Sequence, residues 1–147
     1  LEFDTIVLHN GESSGNSGSG LRIIDLNRDG RLDLVTCSAN GADGVSVESP
    51  SGVGAGRVVV SNGAFGSNGA DGLFLEATTG GQIVDCTATN NAGWGIRVLG
   101  SNHLIQRNAC LGNFGGSLLA AAPGNIVGPM VSEFTVGANT NPAANYE

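Results

Sequence analysis

The sequence predicts an all-β chain wound into a solenoid of parallel strands, about five coils long. Three observations carry this. Short runs reading apolar, other, apolar each open on a glycine: Gly20-Leu-Arg-Ile, Gly44-Val-Ser-Val, Gly72-Leu-Phe-Leu, Gly95-Ile-Arg-Val and Gly116-Ser-Leu-Leu. Such alternation buries one face of a strand and exposes the other. A second run follows each: Arg31-Leu-Asp-Leu-Val, Arg57-Val-Val-Val, Gln82-Ile-Val-Asp, His103-Leu-Ile-Gln and Asn125-Ile-Val-Gly. The corners repeat almost literally, as Asn40-Gly-Ala-Asp43-Gly, Asn68-Gly-Ala-Asp71-Gly and Asn91-Ala-Gly-Trp94-Gly. A hairpin sheet would instead need opposed strands joined by two-residue turns.

Taken in order, residues 1–19 read as an irregular N-terminal coil and flexible loop. Phe3, Ile6 and Leu8 alternate like a first strand, and residues 11–20 are almost wholly Gly, Ser, Asn and Glu. Residues 20–127 hold the repeats, with two strands to a coil, and residues 128–147 read as a C-terminal cap. Successive coils should stack about 4.8 Å apart. The inward rows are then Leu21, Val45, Leu73, Ile96 and Ile23, Val47, Leu75, Val98, Leu119. A slip of one residue would bring Arg22, Ser46 and Arg97 inward, so the register is specified. The run at residues 120–122 is too short for a helix and meets Pro123.

Composition narrows the function. At 147 residues the chain is one domain. Its 25 glycines have no Gly-X-Y period, which excludes collagen. A net charge of −7, with arginine but no lysine, speaks against a nucleic-acid partner. No apolar run approaches the roughly 20 residues of a membrane span. The chain begins at Leu1 without a signal-like segment and reads as a mature form or a fragment. The three cysteines form no zinc pattern. Aligning the runs puts Cys37 and Cys86 in one position two coils apart, about 9.6 Å and beyond disulfide reach, so free thiols are expected.

The block 43–131 resembles the right-handed parallel β-helix repeat proteins of bacteria, the superfamily that includes pectate lyases. The phrases Asn91-Ala-Gly-Trp-Gly-Ile-Arg-Val and Asn102-His-Leu-Ile-Gln-Arg-Asn carry the resemblance. The ending Ala122-Pro-Gly-Asn-Ile-Val-Gly-Pro, then Asn141-Pro-Ala-Ala-Asn-Tyr, is similar to the C-terminal cap of uncharacterised exported members. The resemblance implies a right-handed coil and an extracellular or cell-surface location. Its motifs specify fold and hardly specify function.

Two constellations are candidate sites. Asp25-Leu-Asn27-Arg-Asp29-Gly30-Arg31-Leu-Asp33 matches the first nine positions of a calcium loop, with side-chain oxygens at 1, 3, 5 and 9, the Arg31 carbonyl at 7 and glycine at 6. Thr36 stands where an EF-hand has its twelfth-position Glu. The stretch 25–47 also resembles an integrin-type propeller repeat, which carries such a loop. Calcium is thus the expected cofactor, ordering the loop and raising the melting temperature; the alternative is a plain turn. Phe74 and Arg97, with Arg22 on the same outward row and Trp94 at a corner, form either a sugar-binding strip or packing pairs. Asp43 and Asp71 should stack one coil apart, binding a cation or splaying into water.

No catalytic residue is assigned. His9 and His103 each lack a nucleophile with an acid partner. Arg28 and Arg31 lie near acids, but all in one segment, whereas a polysaccharide cleft spans several coils. The leading expectation is an extracellular, non-enzymatic structural or surface module. Its partners are other copies of itself, met through exposed coil edges, or cell-surface material. The N-terminal edge, with Phe3, Ile6 and Leu21, is the expected contact. The alternative is a carbohydrate-binding or polysaccharide-cleaving module; a third is a fibre segment of a phage or appendage.

Overall fold

A computed structural model describes residues 3–51, 56–131 and 141–147. The first coil holds β1 (Phe3–His9), β2 (Glu12–Ser14) and β3 (Leu21–Ile24). The second holds β4 (Leu26–Asp33), β5 (Thr36–Ser38) and β6 (Val45–Glu48). Then come β7 (Arg57–Ser61), β8 (Ala64–Gly66) and β9 (Leu73–Leu75). The fourth coil holds β10 (Gln82–Val84), β11 (Thr87–Thr89) and β12 (Trp94–Val98), and the fifth β13 (Leu104–Gln106), β14 (Ala109–Leu111) and β15 (Gly116–Ala120). The chain ends in β16 (Ile126–Val127), β17 (Met130–Val131) and β18 (Asn145–Tyr146).

Equivalent strands stack into three parallel sheets. The first runs β1-β4-β7-β10-β13-β16, the second β2-β5-β8-β11-β14-β18-β17, and the third β3-β6-β9-β12-β15. The protein is a parallel β-solenoid of about five turns. No helix occurs among the described residues.

Each coil has three strands where the alternation shows two. The strands of the second sheet are three residues long through the first five coils, too short for a period-2 pattern to register. They are set off by left-handed corners at Asn10, Leu34, Asn62, Asp85 and Arg107 on one side, and at Gly15, Ala39, Ser67, Asn90 and Gly112 on the other. One left-handed residue turns the strand sharply, which suits Gly and Asn and strains Leu34. The N-terminal part is also more regular than expected. Ile6 and Leu8 turn inward on β1, and residues 12–14 form β2. The following corner is tied down by Gly15 N–H donating to the Ser38 carbonyl at 3.2 Å.

The inward rows are aliphatic and unbroken. In the third sheet Leu21, Val45, Leu73, Ile96 and Leu118 pair in sequence, as do Ile23, Val47, Leu75, Val98 and Ala120. Leu119 was expected in this second row; it lies instead on the outward row above Arg97. Gly116 resembles Gly95 as a strand opener but pairs with Trp94, which shifts β15 by one residue. In the first sheet the row Leu8, Leu32, Val60, Ile83, Ile105, Val127 crosses all six strands.

The cysteine register also differs. Cys37 shares its row with Phe65, Ala88 and Cys110, while Cys86 stands two residues earlier in its coil. All three remain free and buried. Cys37 and Cys110 are three coils apart, about 14 Å, and Cys86 is diagonal to Cys110 at about 8 Å, so neither pair can bridge.

Asparagine does more than turn corners. Asn16, Asn40, Asn68, Asn91 and Asn113 form a ladder along one edge of the core. Asn40 Nδ2 donates to Asn68 Oδ1 at 3.0 Å, Asn68 Nδ2 to Asn91 Oδ1 at 2.9 Å and Asn91 Nδ2 to Asn113 Oδ1 at 2.8 Å. Each inner amide also donates to a backbone carbonyl of the preceding coil: Asn68 to Cys37 at 3.2 Å and Asn91 to Phe65 at 3.0 Å. Asn40, Asn68 and Asn91 are all but fully buried, so the ladder satisfies polar groups inside the solenoid.

Candidate functional site

At the N-terminal end the described residues leave the first rung open on its outer side. β1, β2 and β3 are the outermost strands of their sheets there, and none has an outer partner among the described residues. Inward residues that are fully covered one coil further in are only half-buried here: Ile6, Leu8 and Leu21 pack against the core on one side alone. Between β1 and β3 they leave a hollow of about 480 Å³, lined by Ile6, Leu8, Leu21 and Ile23. A second hollow of about 180 Å³ adjoins it under β2, lined by Leu8, Ser13, Leu21, Val35 and Cys37.

The far end differs. β18 lies against β14, with Tyr146 paired to Ala109, and β17 lies against β18. Asn145 occupies the place above Asn108: its Oδ1 accepts from Asn108 N–H and Nδ2, both at 3.0 Å, and its own Nδ2 donates to the Gly128 carbonyl at 3.0 Å. At 1 % exposure Asn145 carries the asparagine stack one strand further, and β15, β16 and β17 are the outermost described strands at this end.

The expected calcium loop is a strand. Residues 26–33 are extended as β4, paired on both sides, because Gly30, Leu32 and Leu26 face the core and alternation then throws Asn27, Asp29, Arg31 and Asp33 outward. Side chains two apart on one strand face stand about 6.6 Å from each other and do not converge on one cation. The carboxylates have separate partners. Asp29 meets Arg57 at 3.3 Å, and Asp33 accepts from Ser61 Oγ at 2.7 Å and Asn62 Nδ2 at 2.9 Å and bonds His9 at 3.1 Å. Asp25, at the left-handed corner before the strand, accepts from Ser51 Oγ at 2.7 Å. Hydrogen bonds hold both Asp25 and Asp33 below the usual carboxylate range, from Ser51 first at Asp25 and from Asn62 first at Asp33. No group of three or more His, Cys, Asp or Glu side chains suited to a metal comes together among the described residues. The donors therefore do not fit calcium in this conformation. Chelator-stripped protein should melt at the same temperature with and without millimolar calcium; a clear rise that disappears in Asp29→Ala would show that the segment leaves the sheet to bind it.

The outward row of the third sheet stands as expected: Arg22, Ser46, Phe74, Arg97 and Leu119 in successive coils. The Arg97 guanidinium lies over the Phe74 ring, 5.1 Å from its centroid, and Nη1 reaches Asp71 at 3.4 Å. Arg22 grips Glu48 at 2.6 and 3.1 Å. Trp94 lies against the backbone of the next coil, where a Cβ on Gly116 would come within 2.5 Å of its ring. Asp43 and Asp71 neither splay nor form a cation pair of their own. Asp43 Oδ1 accepts from Asp71 N–H at 2.9 Å, and Asp71 Oδ1 from Trp94 N–H at 2.7 Å, so the carboxylates tie coil to coil. Burial pushes Asp43 above its ordinary range. Arg97 thus covers one face of Phe74, and Trp94 packs against the coil above it.

No family model matches the chain, and no curated protein or solved structure matches it significantly.

Neither histidine belongs to a triad. His103 is buried and replaces an asparagine in a second ladder: Nδ1 accepts from Gly81 N–H at 3.2 Å, and Nε2 lies 3.2 Å from the Thr78 carbonyl and 3.0 Å from its hydroxyl. This set requires the neutral ring, with its proton on Nε2. Burial accordingly lowers its pKa. The unfolded chain takes up the proton first as the pH falls, so this contribution to stability is complete above the ordinary histidine range of about 6.5 and is lost below it. The melting temperature should fall as the pH drops below about 6.5, and His103→Asn should flatten that slope. An unchanged slope would place the titration elsewhere. Burial also pushes the Cys37 and Cys86 thiols up to about 11 and Cys110 to about 12, which leaves no thiolate nucleophile at neutral pH.

The residues that sequence reasoning missed are the ladder asparagines and Val7. Asparagine recurring at coil spacing, at 16, 40, 68, 91 and 113, is the signal for the ladder. Val7, 70 % exposed on β1, has no such signal.

Proposed function

We propose that the protein is a non-enzymatic structural or surface module, acting outside the cell, that associates with copies of itself through its N-terminal coil. The observation that carries this is the open first rung. Three strand edges lie side by side there, over half-buried Ile6, Leu8 and Leu21 and a hollow of about 480 Å³. An edge with unpaired N–H and C=O groups over an apolar end is a template for another chain. Support for the extracellular setting is the likeness of the ending, residues 122–129 and 141–146, to the C-terminal cap of exported β-helix proteins. No helix among the described residues is long and apolar enough to cross a membrane.

Amide exchange followed at low and high protein concentration tests the assignment. Amides of β1 to β3 should gain protection as concentration rises, while those of β10 to β12 stay unchanged. Exchange at the first rung that ignores concentration would overturn it. Saturable glycan binding, lost in Phe74→Ala, would favour the carbohydrate-binding alternative instead.

A further inference from the structure

We infer that the self-association is a closed, two-fold dimer in which β1 pairs antiparallel with β1 of a second copy, Val7 opposite Val7. The inference rests on the reading above and names its geometry.

The two ends of the solenoid are not complementary. The N-terminal end is one rung deep on all three faces. Among the described residues the C-terminal end is stepped: β18 and β17 carry the second sheet two strands beyond β14, whereas the third sheet stops at β15. Stacked head to tail with β17 against β2, β15 of one copy would stand about three strand spacings, roughly 14 Å, from β3 of the next. A flat end fits a second flat end. Joining identical ends is isologous and closes at two copies.

Among the three edges, β1 is the one built to pair. It has seven residues, against three in β2 and four in β3. β2 opens on Glu12, and Arg22 of β3 is held by Glu48. Charges of this kind guard edges against pairing. The stretch Thr5-Ile-Val-Leu-His9 carries no carboxylate, lysine, arginine or proline. Its only irregularity is a register shift between Phe3 and Thr5, before this stretch.

Backbone direction fixes which groups face the partner. Asn10 N–H donates inward to the Asp33 carbonyl at 3.0 Å. Alternation along the strand then turns the N–H and C=O of Thr5, Val7 and His9 to the open side. With Val7 on the two-fold axis, Val7 exchanges both backbone bonds with Val7 of the second copy, and Thr5 does so with His9. Ile6 falls opposite Leu8 on the inward face, so four half-buried aliphatic side chains close over one another. The two Val7 side chains meet on the outer face as a cross-strand pair. The result is one sheet of twelve strands, six from each copy.

Sedimentation of the intact chain and three variants tests this. Val7→Pro removes an N–H that β4 does not use, a position where edge strands tolerate proline. Val7→Lys leaves the backbone intact and sets like charges opposite each other across the axis. Both should weaken the dimer about tenfold or more, with circular dichroism and melting of the dilute monomer unchanged. Ile126→Lys, at the other end, should dimerise as the parent does. If Val7→Pro fails to fold, Val7→Lys carries the test. Parental dimerisation in Val7→Lys would overturn β1 pairing while self-association stands. Loss of the dimer in Ile126→Lys, or species beyond two copies, would overturn the two-fold arrangement. A parent chain that is monomeric throughout would remove the self-association reading itself.

Discussion

Asn68→Asp is expected to destabilise the protein by about 3–5 kcal/mol at pH 7, a large share of the 5–15 kcal/mol typical of a domain. Asn68 sits mid-ladder at 2 % exposure. Its Oδ1 accepts from Asn40 N–H at 3.2 Å and Asn40 Nδ2 at 3.0 Å, which a carboxylate can still do. Its Nδ2 donates to Asn91 Oδ1 and the Cys37 carbonyl, and a carboxylate would instead face both with negative charge. No cation lies within the ladder to offset that. The new carboxyl would have a raised pKa in the folded state, so the variant should recover stability as pH falls from 7 towards the ordinary carboxylate range. The parent should do the reverse. Asp25, Asp33, Glu48 and Asp85 are all held below their ordinary values by hydrogen bonds, so their contributions are complete above the ordinary range and lost below it. Denaturant midpoints followed from pH 7 down to about pH 3 measure both slopes. A variant that loses stability on acidification as the parent does would show that the ladder position is wet.

Phe65→Ala should cost about 3–5 kcal/mol by the transfer and cavity terms together. Phe65 is among the largest fully buried side chains and fills the second-sheet row between Cys37 and Ala88. The row fits because its neighbours are small. Gly63, in the same coil, leaves the ring its space: a Cβ there would lie 2.4 Å from the Phe65 Cζ. Gly63→Ala should therefore be severe with Phe65 present and much milder beside Phe65→Leu. The double-mutant cycle reads that coupling directly. Additive effects would mean that the ring has room to move.

The architecture was legible where physics repeats itself coil by coil. Leu73, Ile96 and their row mates alternate with outward positions such as Ser46, Phe74 and Arg97, and inward burial leaves that pattern little choice. The second sheet was hidden because Thr36-Cys-Ser and Thr87-Ala-Thr are too short to show a period. The slip at Leu119 came from reading Gly116 as a strand opener, when its neighbour Gly115 stands over Gly93 and bonds it at 2.8 Å. Metal-ligand spacing is compatible with two backbone conformations. Alternate oxygens from Asp25 to Asp33 describe a ligand loop when the backbone curls and an outward strand face when it is extended. Leu26, Gly30 and Leu32 on the other face decide for the strand. The open first rung was legible only as an apolar first strand, because an unpaired edge is a property of the assembled sheet.

Sedimentation equilibrium of the unmodified chain across a wide concentration range tests the central claim most directly. The account predicts a mass that rises from the 14.7 kDa of one chain towards twice that value and stops there. A mass of one chain at every concentration would contradict it.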